Sequence, residues 1–424
     1  MEFIKEASPH IRRKDSTVMM MVDVLIGLSP VVIFALLVYT WAALRNILLS
    51  VLVMCLAEFV FVLIMNKMPD DGKTHTLKEK FIFKCKKYKL SNFIVPAVSG
   101  VIYGLLTPAA FDYSYWAYIT IIFGALFGMI IGKLVFGGTG RNIFNPAAVG
   151  FIFSKICFGD HYRVANYSSW LFPDLNEIGA TFLKLDFTQT TLTSNGVAYN
   201  LYESYSLLDL CIGNIPGLMG ETCKIAILIG LIYLLIRRTI DWRIVVGYLG
   251  SFLFYMAIAG IIVSTSINTN INFFSFVAYQ FLSGGLLFGA VFMATDPVTS
   301  PITKPSRWLY GVILGSITVI IRLYGSPIGD DDVYIHEGVA YAILIGNMLA
   351  PVLDYYKWSS NSFKKSNVIP LIVTPLAVSL IIIWATLHIA FNETNADNTI
   401  TISPTQVENA IYSLKDFAGV LLWK

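Results

Sequence analysis

Eleven runs of predominantly apolar residues recur along this chain, and they constrain its fold more than any other feature. A helix needs roughly 20 such residues to cross the hydrocarbon core of a bilayer. Only 13% of the 424 residues are charged, against about a quarter in a soluble domain. The sequence therefore predicts an all-α polytopic membrane protein. The runs are 19–43, 45–66, 91–111, 115–136, 143–158, 222–237, 243–264, 273–294, 308–324, 338–356 and 369–391.

Basic residues concentrate in every second loop between these runs. Eight lysines lie between positions 67 and 89, whereas the loops FDYSYW and STSINTNIN contain neither lysine nor arginine. Lysine and arginine favour cytoplasmic loops, so the alternation predicts a cytoplasmic N-terminus, an extracytoplasmic loop 159–221 and an extracytoplasmic C-terminus. Because this orientation explains the basic residues, the net charge of +3 predicts no nucleic-acid partner.

The long loop divides the chain into two halves of five runs each. The expected parts are a cytoplasmic segment 1–18, a first repeat 19–158, the loop 159–221, a second repeat 222–356, and an extra helix with a tail in 357–424.

The two halves also resemble each other in sequence. FGGTGRNIFNPAAVG in the first half has a counterpart in SGGLLFGAVFMATDPVTSP, followed by Asn347, Ala350 and Pro351, in the second. Inverted repeats with discontinuous helices place binding sites near the bilayer midplane. We therefore expect a ten-helix core of two inverted five-helix repeats with broken helices. The fifth and sixth runs are short, as broken helices would be.

The stretch 136–150 is the strongest candidate for a binding segment. Its glycines, Gly137, Gly138 and Gly140, can adopt positive φ and bring the backbone close to a ring or an ion. Asn142 and Asn145 each offer a carbonyl and an amide without a fixed charge. Irregular backbone at membrane depth must be covered by protein or line a polar cavity. The stretch is either a tight turn between helices or the lining of a cavity that holds a flavin or the ion path.

Charged residues inside or beside the runs are candidates for an ion path. Asp23 and Glu58 lie within runs, and Asp296 lies at the end of one. Intramembrane charges cost roughly 3 kcal/mol or more each, so they are functional or paired. Structural pairing is the alternative interpretation for Asp23 and Glu58, and for Asp296, at the end of a run, an interfacial, structural role is favoured over the ion path. The five cysteines form no C-x-x-C pair, so the sequence predicts no metal site, and no residue is assigned a catalytic role.

Several long stretches carry a resemblance to a known family, in the family's order. They are SPHIRRKDSTVMMMVDVLIGLSP, FGGTGRNIFNPAAVG, GNIPGLMGET with RRTIDWRIVVG after it, FGAVFMATDPVTSPIT and GNMLAPVLD. The chain resembles the D subunit of the Rnf complex and the related B subunit of the sodium-pumping NADH:quinone oxidoreductase. The short N-terminal segment and its SPHIR start make the Rnf subunit the closer match.

The resemblance implies a function and a cofactor. It implies a subunit of an ion-translocating complex in a bacterial cell membrane that carries electrons between ferredoxin and NAD through FMN while Na⁺ or H⁺ is exported. Its partners would be the other membrane and peripheral subunits and the membrane lipid. It also implies FMN joined by a phosphoester to a threonine on the extracytoplasmic side, and a second, non-covalent flavin would fit the segment around Gly138 and Asn145.

The attachment motif is imperfect in this chain. The nearest match, IGATFL, places the phosphoester on Thr181 but lacks the family's Ser/Thr and Pro. Thr191, in the threonine-rich run DFTQTTL, is the alternative. Two other function classes stay open: a small-solute channel of the urea-transporter type, which has similar inverted repeats, and a structural subunit that has lost its flavin.

Overall fold

The computed structural model of the chain describes most of the predicted core. The described residues are 17–65, 77–86, 88–109, 115–159, 191–194, 197–200, 207–215, 217–262, 273–324 and 338–355, with six isolated helical positions between 373 and 384. Thr181 and the tail after 384 lie outside the described residues, and the eleventh predicted run is described only at those six positions. The division into domains and the extra C-terminal helix therefore stay predictions.

Helices account for nearly all of the described structure. The first half contains α1 (Thr17–Met65), α2 (Leu77–Lys86), α3 (Ser91–Leu105), α4 (Tyr115–Gly132), a 3-10 turn (Leu134–Phe136) and α5 (Pro146–Cys157). The second contains α6 (Leu207–Ile212), α7 (Lys224–Arg237), α8 (Trp242–Ile262), α9 (Phe273–Leu282), α10 (Leu286–Phe288) with a π-helical turn (Gly289–Met293), α11 (Lys304–Tyr324) and α12 (Val339–Tyr355). A two-stranded antiparallel hairpin, β1 (Thr191–Ser194) and β2 (Val197–Asn200), lies in the long loop.

The prediction of an all-α polytopic membrane protein is confirmed. Among the described residues, α1, the segment Tyr115–Phe136 and α8 are long and apolar enough to cross a membrane, and the bent pair α9 and 286–293 forms a fourth candidate. The helices α3, α5 and α12 are shorter and apolar. The count of ten helices in two inverted repeats stays a prediction.

Helix α1 joins the first two predicted runs. Its 49 residues would extend about 74 Å if straight, more than twice the roughly 30 Å hydrocarbon core. The helical conformation is interrupted at Thr40, where φ is 48° and ψ is −118°. The division between the first two spans thus falls at Thr40, slightly earlier than the predicted boundary at 43–45.

The helix break of the second half lies in the eighth predicted run, whereas the sequence suggested the fifth and sixth. Helix α9 and the segment 286–293 meet at an angle of 53° around Ser283–Gly285. Backbone carbonyls freed by the break are bound by two buried cations. Arg322 donates to the carbonyls of Gln280 and Ser283, and Lys224 donates to the carbonyl of Gly284 at 3.2 Å. No water is available in the hydrocarbon core to donate to these carbonyls, so the two side chains supply the hydrogen bonds instead.

The two halves contact each other through short buried elements. In the first half, α1 packs along α3, and Gly104 allows this because a Cβ there would lie 2.6 Å from Ser50 Oγ. In the second half, α8 packs along α11. Helix α7 packs against α1, and α5 packs against α12, so the N-terminus of α5 lies between the halves.

Candidate functional site

The glycine-rich stretch forms a tight turn between α4 and α5. Gly137, Gly138 and Gly140 all have positive φ, at 109°, 86° and 85°, as the sequence suggests. A Cβ on Gly138 would lie 3.0 Å from the Phe61 ring and 3.7 Å from Glu58 Oε1, and a Cβ on Gly137 would lie 3.1 Å from Arg141 Cδ. A Cβ on Gly140 would meet nothing within 4 Å. Close approach of the backbone therefore applies to Gly138 and does not apply to Gly140.

Asn145 ends the turn and begins α5. Its side-chain oxygen accepts hydrogen bonds from the backbone N–H of Ala147 at 3.0 Å and of Ala148 at 3.4 Å. Pro146 occupies the first helical position, where its missing N–H costs little. The Asn145 amide donates to the carbonyl of Met293 at 3.3 Å, across to the second half. One side chain therefore caps α5 and links the two halves.

Asn347 of α12 completes this link from the other side. With its carboxamide oriented so that donors meet acceptors, it accepts from the backbone N–H of Asn145 at 3.0 Å. In the same orientation it donates to Tyr310 Oη at 2.9 Å and to the carbonyl of Ile343 at 3.2 Å. All three polar side chains are buried, so the link is shielded from solvent.

Glu58 is paired with a lysine of the first half. Lys133 Nζ lies 3.2 Å from Glu58 Oε2, and both side chains are almost fully buried. Thr139 of the glycine-rich turn donates to Glu58 Oε1 at 2.7 Å. The second half of α1, the end of α4 and the turn are thus joined by one buried carboxylate.

A small cavity with a mostly apolar lining and a few polar groups adjoins this pair between the two halves. Its volume is about 40 Å³, and its polar lining includes Lys133, Asn142, Asn145, Thr295 and Asp296. Among the described residues, Asn142 Oδ1 accepts no hydrogen bond, although it is buried. Asp296 accepts from the backbone N–H of Val298 at 3.3 Å and from the Thr299 hydroxyl at 3.2 Å.

The volume of the cavity limits what it can hold. A water molecule needs about 10–15 Å³ on this measure, so the cavity has room for a few waters or a small ion. Drug-sized ligands occupy pockets of about 300–1,000 Å³, and a flavin ring does not fit in 40 Å³. A flavin ring would need this cavity to be wider, so the second, non-covalent flavin and the ion path both stay predictions for this segment.

Asp23 does not line this cavity, and its carboxylate is held by three partners, one of which, Thr239, is a lining residue. Its carboxylate accepts from Tyr233 Oη, Arg237 and Thr239, all at 3.2–3.3 Å. These partners belong to α7 and the turn that follows it, so Asp23 joins the first helix to the second half. This geometry matches the structural-pairing alternative, and Asp23 is not among the residues that line the small cavity.

The structure brings only part of the predicted site together. Asn142, Asn145 and Asp296 line one cavity, and Glu58 and Gly138 lie behind it next to Lys133. The flavin-attachment candidates stay predictions: Thr181 lies outside the described residues, and only the backbone of Thr191, at the start of β1, is described. No group of three or more His, Cys, Asp or Glu able to hold a metal is found among the residues that the structure describes.

Sequence analysis missed Lys133, Tyr310 and the three partners of Asp23. Lys133 lies inside the run 115–136, three residues before its end, and a charge within an apolar run is the signal that could have found it. Tyr310 carried no signal, because a tyrosine in an apolar helix is common.

Comparison with known proteins identifies the family. A family model described as "NQR2, RnfD, RnfE family" matches residues 4–362. The chain is 37% identical over 267 residues to the B subunit of the Na⁺-translocating NADH-quinone reductase of Chromohalobacter salexigens, covering 62% of this chain and 58% of that protein. It is 33% identical over 264 residues to the same subunit of Ectopseudomonas mendocina, covering 62% and 60%. The chain thus matches about three fifths of the length of these relatives. With a match over most of its length, the chain belongs to the NQR2, RnfD, RnfE family.

Proposed function

We propose that this chain is a membrane subunit of an ion-translocating electron-transport complex of the Nqr and Rnf type. Family membership and the function named for its relatives support the proposal. In the Rnf form, the complex passes electrons between ferredoxin and NAD while Na⁺ or H⁺ crosses the membrane. The chain would be a multi-pass protein of a bacterial cell membrane, in contact with the other subunits of the complex.

The small cavity between the halves is the observation that carries the ion-translocating part. The amide oxygen of Asn142 and the carboxylate of Asp296 are hard oxygen ligands, which suit a small cation or a protonated water. The charge of Lys133 is balanced by Glu58, so its repulsion of a cation in the cavity is weakened. The Asn145 cap fixes the start of α5, and with it one wall of the cavity.

The test of this role compares Asp296→Asn with Asp354→Asn in the assembled complex. Both aspartates accept backbone and hydroxyl hydrogen bonds near helix ends, but only Asp296 lines the cavity. We expect Asp296→Asn to reduce Na⁺ or H⁺ uptake into vesicles much more than Asp354→Asn does. Equal uptake in the two variants would contradict the role of the cavity.

The electron-carrying part of the proposal rests on covalent FMN. The isoalloxazine supplies redox chemistry when bound, and the proposed attachment is Thr181, with Thr191 as the alternative. When the chain is co-expressed with a flavin transferase, its band on a denaturing gel should fluoresce. The variant at the attachment site, Thr181→Ala or Thr191→Ala, should lose the fluorescence. If both variants keep it, both assignments are wrong.

The same gel separates the alternatives. A chain without a fluorescent band would be a structural subunit without flavin, or a channel. Urea flux through liposomes that contain the purified chain would support the urea-transporter alternative. Ion-coupled electron transfer in the assembled complex would exclude both.

A further inference from the structure

A second and larger cavity opens at the ends of α7, α8 and α11. Its volume is about 680 Å³, within the range of small-molecule sites. Four cationic side chains and one carboxylate line it: Arg238, Arg243, Lys304, Arg307 and Asp241. These residues belong to loops that the distribution of Lys and Arg predicts to be cytoplasmic. The cavity is therefore a basic depression at the predicted inner surface.

Two of the four cations are held by the carboxylate. Arg243 Nη1 lies 3.1 Å from Asp241 Oδ2, and Arg307 donates to the same oxygen. Burial raises the pKa of Asp241, but hydrogen bonds from the Arg243 backbone N–H and from Arg307 outweigh it and hold the pKa below its usual value. Asp241 therefore stays ionised at neutral pH and fixes both guanidinium groups.

The other two cations have no such partner. Within the part of the chain that the structure describes, the side chains of Arg238 and Lys304 form no ion pair or hydrogen bond, and both residues are exposed. The cavity thus presents two cations without a partner beside a rigid cluster of Asp241 with two arginines, and this cluster itself carries one net positive charge. Such a surface attracts an anion and repels a cation.

The rim of the cavity marks its depth in the membrane. Trp242 and Trp308 pack edge to face, with ring centroids 5.4 Å apart, and both are exposed. Tryptophan is enriched where the bilayer meets water. Ile236 and Val246, exposed on α7 and α8, continue the apolar surface next to it. The mouth therefore lies at headgroup depth, beside acyl chains.

We propose that this cavity binds the phosphate of an anionic phospholipid, with Arg238 and Lys304 as its ligands. Basic pockets between helices on the cytoplasmic side bind such headgroups. The tryptophans and the apolar surface next to the mouth favour a lipid over a soluble anion, because they would contact its glycerol and acyl chains. The proposal does not depend on the electron-transport function.

The site adjoins the small cavity. Both cavities are lined by Met20, Thr239, Ile240, Thr295 and Pro297. A lipid phosphate in the larger cavity would therefore lie next to the wall that carries Asp296. It would also reduce the positive charge that otherwise faces a cation approaching from this side.

The test measures lipid binding to the purified full chain by native mass spectrometry. Phosphatidylglycerol is titrated against phosphatidylcholine, which has a phosphate but no net charge. We compare the double variant Arg238→Gln/Lys304→Gln with Lys84→Gln/Lys86→Gln, which removes the same charge from α2 in another basic loop. We expect wild type to prefer phosphatidylglycerol, and the first variant to bind it about 30-fold more weakly, since two surface cations are lost. The α2 variant should bind like wild type.

Other outcomes would overturn the proposal. Equal weakening in both variants would mean general surface attraction, and unchanged binding in the first variant would mean that the lipid binds elsewhere. Inorganic phosphate and FMN are titrated in the same way without lipid. If either binds as well as phosphatidylglycerol and is lost in the same variant, the site takes a soluble phosphate. If the double variant does not fold, Lys304→Gln alone should weaken binding about fivefold.

Discussion

Lys133 and Glu58 neutralise each other at a position where neither reaches solvent. Removal of one partner from a buried ion pair leaves an uncompensated charge and costs about 3–5 kcal/mol, whereas replacement of both by residues of similar size is far less harmful. The stability of this region therefore depends more on keeping both partners together than on having charged residues at these positions.

We predict that the single variants Glu58→Gln and Lys133→Met each lower the free energy of unfolding of the detergent-solubilised chain by about 3–5 kcal/mol. Each should therefore lower the melting temperature strongly. The double variant should recover most of that loss. Fluorescence-detected gel filtration after heating measures the midpoint for all three. If the two single effects simply add in the double variant, the pair is not coupled and the contact is incidental.

The glycines of the turn provide a second comparison at the same scale. Gly138 and Gly140 have nearly equal φ, so an alanine at either position is strained by about 1–2 kcal/mol. At Gly138 the new Cβ would also press on Phe61. We predict that Gly138→Ala lowers the melting temperature more than Gly140→Ala. Equal losses would show that Phe61 moves aside without cost.

At the scale of elements, Asn145 has two roles that substitution can separate. Its oxygen caps α5, and its amide binds the carbonyl of Met293 in the second half. Serine is also a good N-cap. Its side chain is too short to donate to the carbonyl of Met293 as the Asn145 amide does. We predict that Asn145→Ser changes the contribution of the cap to the free energy of unfolding by no more than about 0.5 kcal/mol. Coupled electron transfer should nevertheless fall.

Asn145→Leu is the matched control for this experiment. It removes both the cap and the link, so both stability and coupled transfer should fall, the former by about 1 kcal/mol from the lost cap. Stability is read from the melting temperature and transfer from ion uptake driven by electron input. If Asn145→Ser transfers electrons and ions like wild type, the link to Met293 has no functional role.

The elements themselves were predictable to different degrees. The apolar runs predicted the membrane helices, and the run 143–158 contains α5, which begins at Pro146. The break at Thr40 was not predictable, because neither glycine nor proline marks it, whereas Pro30 inside α1 interrupts nothing.

Long-range contacts were the least predictable part of the site. Asn145 and Asn347 stand about 200 positions apart and meet only because α5 packs against α12. In the same way, Lys133 is one basic residue among many in the sequence, and only the fold shows that it pairs with Glu58. The sequence shows which residues are unusual within an apolar run. Only the tertiary packing shows which partners they contact.

At the scale of the whole molecule, orientation is the main prediction from charge. A cysteine placed at Leu175 in a cysteine-free variant should react with a membrane-impermeant maleimide in intact cells, because loop 159–221 is predicted outside. A cysteine at Lys73, in the predicted cytoplasmic loop, should react only after permeabilisation. The reverse pattern would invert the topology and also move the basic cavity to the outer surface.

The two cations at the helix break have an electrostatic consequence. Lys224 and Arg322 bind the freed carbonyls at one end of the segment 286–293, and the small cavity lies at its other end, roughly 12 Å away at 1.5 Å per residue. Lys224 lies in the field of the buried Glu221 carboxylate, which offsets part of this charge, and the positive charge that is left raises the energy of a third cation that approaches. A cation leaving the cavity in that direction would therefore climb a repulsive barrier. A negative charge arriving nearby, such as an electron on an adjacent carrier, would lower that barrier while it stays. If the chain acts in the proposed electron-transport complex, electron arrival would time ion release through charge balance.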